Sequence, residues 1–412
     1  MTDYHRLDQW IDAHFDEQVG FLQELVRVPT DTPPGNNAPH AERTAELLEA
    51  FGFTAEKYPV PASEVKAYGL ESITNLIVRR KYGAGKTIAL NAHGDVVPPG
   101  EGWTKPPYGA EIEGGAMYGR ATAVSKSDFS TFTFAVRALE SLGLSLRGGV
   151  ELHFTYDEEF GGEKGPGWLL AQGLTQPDLM IAAGFSYQVV TAHNGCLQME
   201  VTVNGKMAHA AIPDTGIDAL QATVLILSAL YAQNTLYKQV RSGVAGISHP
   251  YLNVGRIEGG TNTNVVPGKV VFKLDRRMIP EENPVEVEAS VRQVIADAAA
   301  EFQHISGNAI SVDIKRLLLA RSMKPLAGNQ PLVDAIQKHG LEIFGEPIPA
   351  EGTPLYTDVR LYAEHGTPGV IYGAGPRTVL ESHAKRADER LALTDLKRAT
   401  QVVARTLLDL LR

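Results

Sequence analysis

The chain has 412 residues, 43% of them hydrophobic and 21% charged, with a formal net charge of -10 and a single cysteine. That length predicts two domains, and the acidic balance excludes a general nucleic-acid binder, which needs basic surface to displace counterions. Cys196 alone excludes an intramolecular disulfide; with no apolar run of membrane-spanning length and no leader-like start, a cytoplasmic protein is expected, with neither a membrane nor a nucleic acid as partner.

In chain order, Leu7, Trp10, Ile11, Phe15, Val19, Leu22 and Leu25 recur at spacings of three and four and predict one amphipathic helix. It stops before Pro29, and residues 30–35 (Thr-Asp-Thr-Pro-Pro-Gly) read as a loop. A second helix is predicted over 41–51, closed by Gly52. Apolar runs at 87–92, 150–156, 178–183 and 369–373 read as buried parallel strands, with a helix over 129–142 among them. The fold class predicted is therefore α/β, a mostly parallel sheet flanked by helices. In such sheets ligands bind beyond the carboxyl ends of the strands, where His93, Asp95, Glu158 and Glu159 fall.

The middle of the chain changes character. Strands are expected at 197–204, 251–257, 269–277 and 309–314, and helices at 217–231 and 285–300. The order βαββαβ is that of a ferredoxin-like unit. We expect it as an insertion over 195–320, between a first part of the catalytic domain, 1–194, and a second part, 321–412.

Five segments carry candidate chemistry. In NAHGDVVPPGEGW (91–103), Asp95 stands two residues after His93, and a carboxylate can hold the far nitrogen of a metal-bound imidazole. In FTYDEEFGG (154–162), Glu158 and Glu159 are consecutive, so one can ligate a metal while the other faces a water as general base. ESHAKRADER (381–390) supplies His383 as a second imidazole. NGKMAHAAIPDTG (204–216) carries His209, and GGTNTNVVPGKVVFKLDRR (259–277) carries Asn262, Asn264 and Arg277, donors suited to a carboxylate. Each has a bland alternative: a loop histidine, a solvated acidic turn, or a salt bridge of Arg277 with Asp275 or Glu281.

Taken in order over nearly the whole chain, these segments resemble the family of zinc exopeptidases and deacylases that includes acetylornithine deacetylase, succinyl-diaminopimelate desuccinylase, carboxypeptidase G and aminoacylase. The resemblance implies a zinc-binding catalytic sheet and an inserted ferredoxin-like domain that makes a homodimer. It assigns His93, Glu159 and His383 as metal ligands, Asp95 as the residue orienting His93, and Glu158 as general base. It assigns His209 as a histidine serving a neighbouring subunit's site, and Asn264 and Arg277 as binders of a substrate carboxylate. Two positions depart from the pattern. Where the family reads like G-R-G-A-x-D-M-K this chain has GRATAVSK (119–126), with Val124 for the bridging aspartate. Where it reads like D-x-x-I-x-x-E-P-T the chain has DLMIAAGFS (178–186), with Gly184 for a terminal carboxylate. Asp128, close by, is read instead as favouring the start of the following helix.

Two divalent ions some 3.5–4 Å apart repel by on the order of 17 kcal/mol at an effective dielectric of about 20. With Glu159 the only carboxylate ligand left, the expectation is zinc or another divalent metal, at most one ion per chain. The activity expected is cleavage of an amide bond, in a peptide or N-acyl amino acid, next to a free carboxylate. The alternative is a metal-free member that binds a carboxylate ligand or catalyses a non-hydrolytic reaction.

Overall fold

The computed structural model describes residues 2–412. The chain divides into two compact units: one of residues 1–191, 325–351 and 357–412, the other of residues 192–324 and 352–356.

An eight-stranded sheet forms the first unit, in the spatial order Ala55–Pro59, Thr74–Lys81, Gly149–Thr155, Thr87–His93, Leu179–Ala182, Gly369–Ile371, Val189–His193 and Ala350–Thr353. Its four central members, from Gly149–Thr155 to Gly369–Ile371, run parallel. They are the four apolar runs of the sequence, and they are buried almost without interruption because helices cover the sheet. Helix Lys126–Ser141 is buried at nearly every position up to Leu139, and Leu393–Leu411 buries one face.

The first predicted helix is in fact two, Asp3–Ala13 and Phe15–Val26, broken at His14. The His14 ring stacks on Trp10 with centroids 3.9 Å apart, and its Nδ1 meets the Trp10 carbonyl at 2.8 Å. The side chain thus competes with the backbone for the helix's own acceptor. Periodicity could not show this, since Leu7, Ile11, Leu22 and Leu25 face one core across the break.

In the second unit, strands Gly195–Asn204, Tyr251–Gly259, Lys269–Met278 and Ser311–Ala320 alternate with helices Ala219–Tyr237 and Pro284–Ser306 in the order βαββαβ. The spatial order is Tyr251–Gly259, Lys269–Met278, Gly195–Asn204, Ser311–Ala320, antiparallel throughout. This is the ferredoxin-like arrangement. Strand Gly195–Asn204 is central, and its alternating burial points Leu197, Met199, Val201 and Val203 at the two helices. Among the described residues no helix is long and apolar enough to cross a membrane.

Candidate active site

The parallel register sets His93 beside Thr155, so both strands end level and their next residues share one cleft. Asp95 is wholly buried beneath it. Its Oδ1 accepts the Glu158 N–H at 3.2 Å and its Oδ2 the Glu159 N–H at 2.9 Å. One carboxylate therefore fixes the short turn Glu158–Phe160 that carries both glutamates. Asp95 also faces His93, with Nδ1 at 3.0 Å from its carbonyl oxygen and 3.5 Å from Oδ1. This leaves His93 Nε2 directed at Glu158 Oε2, 3.8 Å away.

The consecutive glutamates diverge: Glu158 turns to His93, whereas Glu159 Oε2 pairs with Lys385 Nζ at 2.7 Å. Burial pushes the Glu158 carboxyl up to about 7, against the pull of His93, with Glu159 adding to the rise. Burial lowers the affinity of His93 for its proton, but Glu158, Asp95 and Glu159 together outweigh it and hold the imidazolium up to about 10. The result is a buried carboxyl poised near neutrality beside a cation.

The other flank of the strand ends is built differently. Val124 presents a half-buried alkyl group. A Cβ on Gly184 would meet Ile371 Cγ2 at 2.2 Å, so no side chain fits there without repacking. Asp128 lies in the first turn of its helix and is wholly buried. Its Oδ1 accepts the Ala374 N–H at 2.7 Å, and a Cβ on Gly373 would come within 2.4 Å of the same oxygen. Burial pushes this carboxyl up to about 7, while the Ala374 and Gly184 N–H groups favour its charged form.

His383 is half-buried, in a left-handed conformation with φ 55°, and its Nδ1 lies 3.1 Å from the Ala387 carbonyl oxygen. From the same loop it is Lys385 that reaches Glu159. The loop is pinned by Glu389, 2% exposed, which pairs with buried Arg120 at 2.6 Å and accepts the Ala123 N–H at 3.1 Å.

A metal needs deprotonated ligands that converge on one point. Here Glu159 is held by an ammonium, Val124 and Gly184 offer no donor, and His383 Nδ1 faces the Ala387 carbonyl oxygen. Among the described residues no group of three or more His, Cys, Asp or Glu side chains is placed to hold a metal. The residues as arranged do not fit one.

In the second unit, the two-residue strand Ala208–His209 pairs with Val265–Val266, and Ala210 N–H donates to the Asn264 carbonyl oxygen at 3.0 Å, which brings His209 and Asn264 together. His209 is exposed, and its Nδ1 accepts the Ala211 N–H at 3.0 Å, so Nε2 bears the proton of the neutral ring. Arg277 is forked onto Asp275, with Nε 2.7 Å from Oδ1 and Nη2 3.4 Å from Oδ2. Asn262 caps its own turn through the Thr263 N–H.

Sequence reasoning missed Asp358 and Arg360. Asp358 is buried, and its carboxyl stands well above the usual range through burial and the like charge of Glu158. Arg360, 2% exposed, donates to the Gly161 carbonyl oxygen and so holds the turn carrying the two glutamates. The available signal was a Thr-Asp-Val-Arg run (357–360), polar residues opening a short buried helix, Val359–Glu364.

Comparison with known proteins agrees with this architecture. Residues 89–409 match the family described as Peptidase family M20/M25/M40. A succinyl-diaminopimelate desuccinylase of Rhodospirillum rubrum is 27% identical, covering 95% of this chain and 97% of its own. One from Gluconacetobacter diazotrophicus is 28% identical, covering 76% and 82%. Among solved structures, the dipeptidase Dug1p of Saccharomyces cerevisiae superposes with a TM-score of 0.78 at 14% identity, over 99% of this chain and 98% of its own. An M20 family metallo-carboxypeptidase of Sulfolobus solfataricus gives 0.75 at 18% identity, over 95% and 98%.

Proposed function

Because this chain belongs to peptidase family M20/M25/M40, a family of hydrolases, we propose that it cleaves an amide bond, in a peptide or an N-acyl amino acid, next to a free carboxylate. The observation that carries the reading is Glu158: a buried carboxyl raised to about 7, on a turn clamped by Asp95, facing His93. The desuccinylase relatives, which remove an acyl group from an amino acid, support the same bond type.

Glu158 takes a proton from water, and the hydroxide so formed attacks the amide carbonyl. The C–N bond of the tetrahedral adduct breaks, and the proton held by Glu158 passes to the leaving nitrogen. Asp95 and Arg360 position the base. His209, with its proton on Nε2, is suited to donate to the oxyanion of a neighbouring subunit's site, while Asn264 and the Arg277 guanidinium are suited to a substrate carboxylate. An exposed stripe of Leu220, Val224 and Tyr231 on helix Ala219–Tyr237, and the edge strand Tyr251–Gly259, support a homodimer. Val124 and Gly184 support at most one divalent ion per chain, zinc or another, and none of these steps is routed through it.

The Lys385–Glu159 pair favours a second reading, a metal-free member that binds a carboxylate ligand or moves a proton without hydrolysis. The deciding experiment incubates the purified protein with dipeptides and N-acetyl and N-succinyl amino acids and follows amine release. Release that vanishes in Glu158→Gln supports hydrolysis. Thermal stabilisation by these compounds with no amine released would leave the second reading in its place.

A further inference from the structure

Building on the hydrolytic site round Glu158, we propose that the ammonium of Lys385 takes the place of the divalent ion, so that the centre works on protein charges alone.

Three observations converge on this. Any ion shared between the late loop and the glutamate turn would have to lie on Glu159, and the group from that loop on Glu159 is Lys385, 2.7 Å away. The Lys385 side chain is more than half exposed, but its ammonium sits directly on Glu159 and within electrostatic reach of Glu158 and Asp95, so it brings one positive charge to the carboxylates of this flank. The placement is built into the backbone. Glu389, buried and paired with Arg120, accepts the Lys385 N–H as well as that of Ala123, and Asp388 accepts the Thr104 N–H at 2.9 Å, which ties both sides of the loop down.

The opposite flank cannot restore a metal site. Gly184 takes no side chain without repacking Ile371, Val124 has no donor atom, and Asp128 is committed to the Ala374 and Gly184 N–H groups. A lysine is a point charge with three donors and no lone pair while protonated. It can therefore neutralise carboxylates and favour a developing oxyanion, but it cannot ligate.

The test uses the full chain, purified without chelator, as wild type and as Lys385→His, which exchanges the ammonium for an imidazole on the same backbone. Elemental analysis gives the metal content. Titration with cobalt(II), read by visible absorption, and with zinc(II), read by calorimetry, gives the capacity. We expect wild type to carry no stoichiometric ion and to take up none, and Lys385→His to gain one equivalent. Wild type holding one or more tight equivalents overturns the proposal whether or not the variant folds. So does a folded Lys385→His, checked by circular dichroism, that gains none. If that variant fails to fold, Lys385→Gln replaces it: cobalt bound more tightly than by wild type upholds the proposal, and unchanged weak binding overturns it. No substrate enters these measurements, so their failure is distinct from a failure of the hydrolytic reading.

Discussion

The two flanks of the strand-end cleft grow from one parallel sheet and have opposite chemistry. On one, His93, Asp95, Glu158 and Glu159 form a hydrogen-bonded, charge-dense group in which each carboxylate meets a cation or backbone donors. On the other, Gly184 is closed by packing, Val124 is a half-buried alkyl group, and the Asp128 carboxylate is turned inward to bind backbone. The difference separates two roles that are usually joined in such a site. One flank keeps charged side chains beside a turn held by Asp95, while the other commits its polar groups to packing and backbone.

The sharpest way to break that comparison is Glu158→Gln. If this flank carries the chemistry, kcat should fall by about 10²–10⁴, the usual contribution of a positioned general base, with the melting temperature little changed. Full activity in that variant would mean the chemistry lies elsewhere. Next in size is Asp128, whose carboxyl burial raises from 3.8 to about 7. Its folded state keeps a proton that the unfolded chain has already released. The contribution is therefore fully present below about pH 4, and it is lost as pH rises to about 7, by at most about 4 kcal/mol. Asp128→Asn should flatten the stability–pH curve between pH 4 and 7, read from urea melts at several pH values. A wild-type curve already flat there would refute the inward-turned, protonatable carboxyl.

How much of this is legible in sequence depends on what sets each contact. The central strands are readable because burial on both faces makes continuous apolar runs, and the ferredoxin-like unit because its periods alternate in a fixed order. The position of His93 past a strand end follows from the same pattern. The reach of Lys385 does not. His383 and Lys385 both adopt positive φ, 55° and 61°, and which of two residues in such a loop turns toward Glu159 is set by the Glu389 and Asp388 anchors, not by residue type. Asp128 binding Ala374, 246 residues away in sequence, and Arg360 holding the Gly161 carbonyl are equally invisible without the sheet order.

Two smaller perturbations probe the closed flank itself. Gly184→Ala places a methyl group 2.2 Å from Ile371 Cγ2. Overpacking of this kind costs about 1–3 kcal/mol, and a matching fall in melting temperature, with kcat on any substrate the enzyme turns over unchanged, would show that this flank is structural. An unchanged melting temperature would mean that the strand ends yield, and that a side chain there is tolerated after all.

Val124→Asp should have the smallest effect, and its smallness is informative. Val124 is only half-buried, and it precedes Ser125, whose Oγ accepts the His93 N–H at 2.9 Å. A carboxylate there can keep part of its hydration, so stability should change by less than about 1 kcal/mol. It returns a single anion to a flank where Gly184 still offers nothing and Asp128 still faces Ala374. Two ions need carboxylates on both sides to offset their mutual repulsion, so the metal content of Val124→Asp, read by elemental analysis, should stay below two equivalents per chain. Two equivalents bound by this variant alone would show that the second flank is open to ions and that one side chain, not the packing round Gly184 and Asp128, had kept them out.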